Sequence, residues 1–167
     1  AATRPKRKGA DPPAGEVRRG NRREAKALLS PEDYAYMQAM PEQIVPSGEA
    51  PLRATSGLVA GLKAPASAKA VLLALLQLKG GSAAIALPDG RVLLFGDGAG
   101  PQVDFCIRSY HFARRVLKNG DIGFAEGLMA GEWESNDLSA LLTLLASNVE
   151  RFTRLLEGGP LGKAVHW

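Results

Sequence analysis

The chain has 167 residues, 46% of them hydrophobic, which is enough for one domain with a core of ordinary size. Its single cysteine, Cys106, excludes an internal disulfide and a cysteine-rich metal site, and a reducing compartment fits best. The net charge of +4 is unevenly distributed, since residues 1–26 hold nine Lys or Arg against three Asp or Glu. The rest of the chain is therefore slightly acidic.

The basic N-terminal stretch, residues 1–29, is rich in Arg, Lys, Pro and Gly and lacks apolar periodicity, which predicts an extended tail. The chain begins with Ala1 rather than Met, which indicates a processed or truncated chain. The tail either contacts an anionic partner (lipid headgroups, RNA or an acidic protein surface) or acts as a solubilising linker. The candidate contact residues are Arg4, Lys6, Arg7, Lys8, Arg18, Arg19, Arg22 and Arg23.

Residues 30–65 predict a helix followed by a long connecting loop. The motif Ser-Pro-Glu-Asp at 30–33 is a typical helix start, and the helix would run to about Met40. Tyr34, Met37 and Met40 would share one face of it. The following residues are rich in Pro and predict a loop that wraps over a surface of this chain or of a neighbour.

Helices are also predicted within residues 66–160. The segment 66–78 is apolar on nearly all sides, so this helix is buried in its own core or faces lipid or another chain. A short helix over 110–118 ends at Asn119-Gly120, and an apolar segment, 121–129, follows it. A long helix over about 138–157 follows a cap at Asn136 or Asp137.

Three strands are predicted between these helices. The runs 82–87 and 91–95 flank Pro88-Asp89-Gly90, which predicts a hairpin because Pro sets φ and Gly permits a positive φ. Alternation over 103–107 predicts a third strand, with Cys106 on its polar face. The expected fold is a small α+β domain over 66–160, with a short antiparallel sheet of about three strands packed by helices. Residues 161–167 form a C-terminal extension without a predicted element.

No residue pattern in the sequence supports a reaction. The two histidines, His111 and His166, have no serine and acid arranged with them as a catalytic set, and no metal-ligand spacing is present. The glycine-rich loop at 96–101 lacks the Lys-Ser/Thr pair and helix start of a phosphate-binding loop. We therefore predict no catalytic residue, no metal and no cofactor in this chain.

The densest group of specific residues lies between Phe112 and Leu138. Glu126 is predicted to pair with Arg114 or Arg115 as a structural ion pair, a role we favour over acid–base chemistry because no second catalytic group lies nearby. The apolar side chains of the same stretch line a pocket or fill a core. These side chains are Phe124, Leu128, Met129 and Trp133.

This stretch carries a resemblance to a known family. The block FARRVLKNGDIGFAEGLMAGEW, followed by Asp-Leu and a leucine-rich helix, resembles the N-terminal region of cyclopropane-fatty-acyl-phospholipid synthases. Their pattern there is F-x-R-R-V-L-x-x-G-D-x-G-F-x-E-x-Y-M-x-G-x-W. The hairpin IALPDGRVLLFGDG and the strand VDFCI extend the likeness, which covers roughly residues 83–145. Leu128 departs from the family's usual Tyr, and Ala130 from its frequent Asp.

The resemblance implies a sterol-carrier-like lipid-binding domain. It makes Phe124, Leu128, Met129 and Trp133 the candidate lipid-contact residues. In that family such a domain, implicated in membrane contact and dimerisation, precedes a methyltransferase domain that transfers a methylene group from S-adenosylmethionine to phospholipid acyl chains. The family's catalytic and cofactor positions have no counterpart in this sequence, so none is carried over to this chain.

Two hypotheses follow from the resemblance. In the first, the chain is a non-catalytic accessory or structural subunit of a larger, membrane-associated organellar assembly, with other protein subunits as partners. In the second, it is the N-terminal lipid- or membrane-binding domain of an S-adenosylmethionine-dependent fatty-acyl-phospholipid methyltransferase. Phospholipid or a membrane surface is a further expected partner, and nucleic acid, bound through the tail, is a less favoured one. The expected location is an organelle matrix or inner membrane face, with the mitochondrion favoured, or else a membrane-peripheral position in the cytoplasm.

Overall fold

A computed structural model of the chain describes residues 30, 31, 35 and 50–158, and side chains up to residue 155. The predicted basic tail and C-terminal extension lie outside these residues. So does most of the helix predicted over 30–40, although Pro31 and Ala35 have helical backbone. Within the described residues the fold is α+β, with five helices and five strands.

The elements follow one another closely along the chain. The helices are α1 (Ser56–Ala60), α2 (Ala66–Leu75), α3 (His111–Met129), α4 (Leu138–Ala146) and α5 (Val149–Gly158). The strands are β1 (Leu52–Arg53), β2 (Ser82–Ala86), β3 (Val92–Gly96), β4 (Gln102–Ile107) and β5 (Trp133–Glu134).

The sheet is larger than predicted and is mixed rather than antiparallel. Its strand order is β1-β3-β2-β4-β5, in which β2, β3 and β4 are the three predicted strands. The β2–β3 hairpin is antiparallel, as expected, but β4 runs parallel to β2, and β1 runs parallel to β3. The two edge strands have two residues each, which is too short for any alternation to appear in the sequence.

The mixed sheet results from a short connection that crosses the N-terminal end of β2. The loop between β3 and β4 carries the chain from one side of β2 to the other. Asp97 holds this crossing, because its carboxylate accepts hydrogen bonds from the amides of Gly80 (3.1 Å), Gly81 (3.2 Å) and Ala99 (3.1 Å). A side chain at Gly100 would meet the carbonyl oxygen of Gly80 at 2.1 Å, so the crossing requires glycine there.

The main core lies between the helices and one face of the sheet, which we call the inner face. Alternate strand residues such as Ile85, Phe95 and Phe105 point into it and meet buried residues from α1 to α4, with Phe152 of α5 packed at its edge. α1 and β1 are part of the same domain as the later elements, because α1 packs against α2 and β1 pairs with β3. Within the described residues no helix is long and apolar enough to cross a membrane.

Two predicted helices differ in detail from the structure. Gly120 interrupts α3 with φ 57° and ψ −129°, so the predicted end at Asn119-Gly120 is a sharp turn, and the segment after it is helical as well. The single long helix predicted over 138–157 is wrong, because two helices, α4 and α5, meet at Asn148. The buried Asn148 side chain accepts from the Lys79 amide (3.0 Å) and donates to the Lys79 carbonyl (2.9 Å), which fixes this corner.

The crossing loop yields a prediction about acid stability. Hydrogen bonds from the amides of Gly80 and Ala99 hold the pKa of the Asp97 carboxyl below its ordinary value. Its stabilising contribution is therefore complete above the unfolded-state pKa of about 3.9 and is lost as pH falls through the lower, folded-state pKa. We expect Asp97→Ala to lower Tm at neutral pH. When the pH is lowered from neutral to below about 4, the Tm of the variant should fall less than the Tm of the parent chain.

Thermal unfolding, followed by circular dichroism at neutral pH and below about pH 4, measures this effect. Glu150→Ala is the control, since Glu150 is an exposed helix residue with only a 3.4 Å contact to Arg154. Parallel loss of stability with acidification in the parent chain and in Asp97→Ala would contradict the assignment.

Candidate functional site

An apolar cavity of about 440 Å³ lies between the inner face of the sheet and the helices. Its walls come from α2, β2, β4, both halves of α3, α4 and α5. Asp121 and Thr153 are the polar side chains on its wall, which is otherwise formed by apolar side chains and one glycine. Its aliphatic and aromatic wall includes Leu75, Ile85, Phe105, Phe112, Val116, Phe124, Leu141 and Phe152.

A cluster of four aromatic rings forms one end of this cavity. The rings of Phe124 and Trp133 stack with centroids 4.1 Å apart, and the Trp133 indole N–H donates to the Phe124 carbonyl oxygen at 2.9 Å. Phe105 meets Trp133 at 5.2 Å and Phe112 edge-on at 5.6 Å. Three of these rings line the cavity, and Trp133 packs against Phe124, so this end of the cavity is aromatic.

The four predicted lipid-contact residues occupy different places. Phe124 lines the cavity. Trp133 is buried and does not line the cavity, but its ring contacts Phe124 and Phe105, which do. Leu128 packs against the core without lining the cavity, and Met129 is 80% exposed. The cavity-lining residues of α2, α4 and α5 were absent from the sequence prediction because their helical spacing is also that of an ordinary core.

Arg115, a member of the predicted ion pair, contacts two carboxylates. One is the predicted Glu126, and the other is Glu132, which the sequence analysis did not identify. Arg115 lies 3.6 Å from Glu126, but its Nε is 3.1 Å from both carboxylate oxygens of Glu132. The Glu132 side chain is only 10% exposed, whereas that of Glu126 is 37% exposed. Arg114 is exposed on the surface of α3. Glu132 is therefore the main partner of Arg115, and it joins the loop before β5 to α3.

Two glycines allow the halves of α3 to pack together. A Cβ atom on Gly123 would lie 2.0 Å from the Arg115 carbonyl oxygen, so the second half crosses the first in direct backbone contact. A Cβ atom on Gly127 would lie 3.0 Å from the Trp133 ring. These contacts orient Phe124 toward the cavity and leave room for the indole.

Within the described residues, the other reactive side chains considered in the sequence analysis lie outside the cavity lining. No group of three or more His, Cys, Asp or Glu side chains in residues 50–158 is placed to hold a metal ion. Cys106 lies outside the cavity lining, and burial raises the pKa of its thiol. His111 is exposed at the start of α3. The eight basic tail residues proposed as anionic contacts lie outside the described residues.

Comparison with known proteins links part of the chain to a methyltransferase. The match supports a loose resemblance to the cyclopropane-fatty-acyl-phospholipid synthase family. The matching protein is the tuberculostearic acid methyltransferase UfaA1 of Mycobacterium tuberculosis, 35% identical over 79 residues, which are 47% of this chain and 16% of that protein. The chain thus spans a small part of that relative's length. No family model and no solved structure matches the chain.

The two carboxylates beside Arg115 allow a matched test of the ion pair. We expect Glu132→Gln to lower the free energy of unfolding by about 1–3 kcal/mol, because it leaves the half-buried guanidinium without its nearest charge. Glu126→Gln, at a longer distance and in more exposed surroundings, should change it by about 0.5 kcal/mol or less. Urea denaturation of both variants, alone and combined with Arg115→Gln, measures the two couplings. A larger coupling for Glu126 would reverse the assignment.

The helix crossing at Gly123 allows a second matched test. We expect Gly123→Ala to destabilise the domain by about 1–3 kcal/mol or more, because the new methyl group overlaps the Arg115 carbonyl. Gly57→Ala is the control, since no atom lies within 4 Å of a Cβ there and alanine favours the helix by up to about 1 kcal/mol. Denaturant midpoints compare the two. Equal effects of the two variants would show that the halves of α3 are not in close contact.

Proposed function

We propose that this domain binds the hydrocarbon chain of a lipid in the apolar cavity and belongs to a methyltransferase-related protein. The cavity between the inner sheet face and α2 to α5 is the observation that carries the proposal. Its volume of about 440 Å³ falls in the range of about 300–1,000 Å³ that is typical of small-molecule sites.

The lining chemistry favours a hydrocarbon over a polar ligand. A ligand with polar groups along its length would leave them without hydrogen-bond partners against the aliphatic and aromatic wall, at a cost of about 1–3 kcal/mol each. A linear or branched acyl chain has no such groups and is flexible enough to follow an irregular cavity. Phe124 and the other aromatic rings provide flat apolar contacts for it at one end.

The cavity also has an opening suited to a ligand with one polar end. Leu142 of α4 and Val149 of α5 line the cavity and are about half exposed, so the cavity is open to the surface beside these residues. Asp121, which also lines the cavity, is exposed as well. An acyl chain can therefore lie inside with its headgroup in solvent.

The similarity to a tuberculostearic acid methyltransferase supports placing this domain beside methyl-transfer chemistry. In this proposal the domain holds the acyl chain, and the transfer is performed by another region of the protein or by another chain. The accessory-subunit hypothesis, with its organellar assembly and mitochondrial location, stays a prediction. So does the sterol-carrier-like shape. The similarity to a methyltransferase favours the lipid-binding domain of an enzyme.

Binding of a fluorescent fatty acid to the full chain tests the proposal. We expect saturable binding of about one acyl chain per protein with micromolar affinity. Val116→Phe, which places a larger side chain on the cavity wall, should weaken binding at least about tenfold by occupying the space of the ligand. Met129→Phe is the matched control and should leave binding unchanged, since Met129 is exposed and does not line the cavity.

Circular dichroism shows that each variant is folded before binding is measured. Absence of binding by the folded parent chain would overturn the proposal, as would equal binding by Val116→Phe and the parent. Reduced binding by both phenylalanine variants would place the ligand on the surface of α3 rather than in the cavity.

A further inference from the structure

A polar pocket of about 300 Å³ lies beside the open part of the apolar cavity, at the corner between α4 and α5. It is lined by Ala146, Ser147, Val149, Glu150, Arg151 and Arg154. Ala146 and Val149 also line the apolar cavity, so the two spaces meet at these residues. Val149 is 56% exposed, so their boundary lies at the surface of the domain.

The helical repeat of α5 places the two kinds of wall side by side. Successive residues of an α-helix are rotated by about 100°. Val149, Phe152 and Thr153 therefore fall on one side of α5, and they line the apolar cavity. The charged residues of α5 up to residue 154 fall on the neighbouring side, where they line the polar pocket. A ligand with an apolar part and a charged part can thus contact both sides of one helix.

The charge of the polar pocket favours an anion. Its lining includes two guanidinium groups, those of Arg151 and Arg154, and one carboxylate, that of Glu150. Arg154 lies 3.4 Å from Glu150, but the two side chains are 81% and 82% exposed, and an exposed pair of this kind is weak. Arg154 can therefore exchange this contact for one with a ligand. Guanidinium groups present a planar fork of N–H donors that matches the oxygens of a carboxylate or phosphate.

We infer that the polar pocket binds the anionic headgroup of the lipid whose hydrocarbon chain occupies the cavity, through Arg151 and Arg154. The inference rests on the proposed function, because it needs an acyl chain in the cavity. The shared chemistry is a carboxylate or phosphate joined to that chain, which would pass Val149 on its way to the surface.

Other polar groups near the two spaces leave the recognition of an anion to these arginines. The Ser147 hydroxyl donates to the Thr143 carbonyl oxygen at 2.8 Å, so its proton is already used. The exposed Asp121 side chain on the cavity wall is a carboxylate, which disfavours an anion beside it. An anionic headgroup is therefore directed to the side of α4 and α5.

Displacement of an uncharged fluorescent acyl probe from the full chain at neutral pH tests the inference. The competitors are a fatty acid and the uncharged fatty alcohol of the same chain length. We expect the acid to bind at least about fivefold more tightly than the alcohol, because the alcohol has no charge for the guanidinium groups. This preference should shrink as salt is raised, since the Debye length falls from about 10 Å at 0.1 M to about 3 Å at 1 M.

A double variant, Arg151→Gln with Arg154→Gln, should remove the preference by weakening binding of the acid about fivefold and leaving binding of the alcohol unchanged. Lys63→Gln with Arg114→Gln is the matched control. It removes the same charge from exposed residues that line neither space, and it should keep the preference. Glu150→Gln should strengthen binding of the acid by about twofold, because it removes a carboxylate that competes for Arg154.

A lysophosphatidic acid with the same acyl chain distinguishes the two anions. Tighter binding than that of the fatty acid, lost in the double arginine variant, would support the inference with a phosphate as the headgroup. Tighter binding of the fatty acid, lost in the same variant, would support it with a carboxylate.

Equal affinity of the parent chain for the acid and the alcohol would overturn the inference and leave the hydrocarbon site intact. A preference that persists in the folded double arginine variant, or that is lost equally in the control, would also overturn it. If the double variant does not fold, each single arginine variant replaces it under the same criteria. Failure of the folded parent chain to bind the probe, the acid and the alcohol would instead overturn the proposed function.

Discussion

Gly123 lies so close to the Arg115 carbonyl that no larger residue fits between the two halves of α3, and the site depends on this contact. The sharp turn at Gly120 reverses the chain, and the contact at Gly123 then fixes the distance between the two halves. Phe124, the next residue, is thereby directed to the cavity. One turn later, Gly127 leaves the space that the indole of Trp133 fills.

The loop that ends α3 completes this unit through polar contacts. The Glu132 carboxylate accepts a hydrogen bond from Arg115. The backbone carbonyl oxygen of Glu132 accepts hydrogen bonds from the amides of Arg108 (2.8 Å) and Ser109 (2.9 Å), just after β4. Glu132 thus connects the helical hairpin to the sheet. Because Trp133 follows it directly, the same residue also sets the position of the ring that supports Phe124. The contacts of Glu132 therefore help to position the aromatic end of the cavity.

Local patterns in the sequence predicted the parts of the fold that local chemistry determines. Pro88-Asp89-Gly90 indicated the hairpin turn, the alternation around Phe105 indicated β4, and Asp137 caps α4 through the Ala140 amide at 2.9 Å. The predictions that were wrong or incomplete concern features that depend on contacts between residues far apart in the sequence. The break at Asn148 depends on Lys79, 69 residues away, and β1 exists only because it pairs with β3. The cavity could not be predicted, because a residue that lines a void and one that fills a core share the same helical spacing.

The two faces of the sheet differ in the size of their side chains, and this difference separates their roles. The inner face presents Ile85, Phe95 and Phe105, and the helices above it are held apart far enough to leave a cavity. The opposite face presents the short side chains of Ala84 and Ala86, which form a separate buried cluster with Val92 and Leu94. Under the proposed function, the acyl chain therefore occupies the side of the sheet on which the cavity lies.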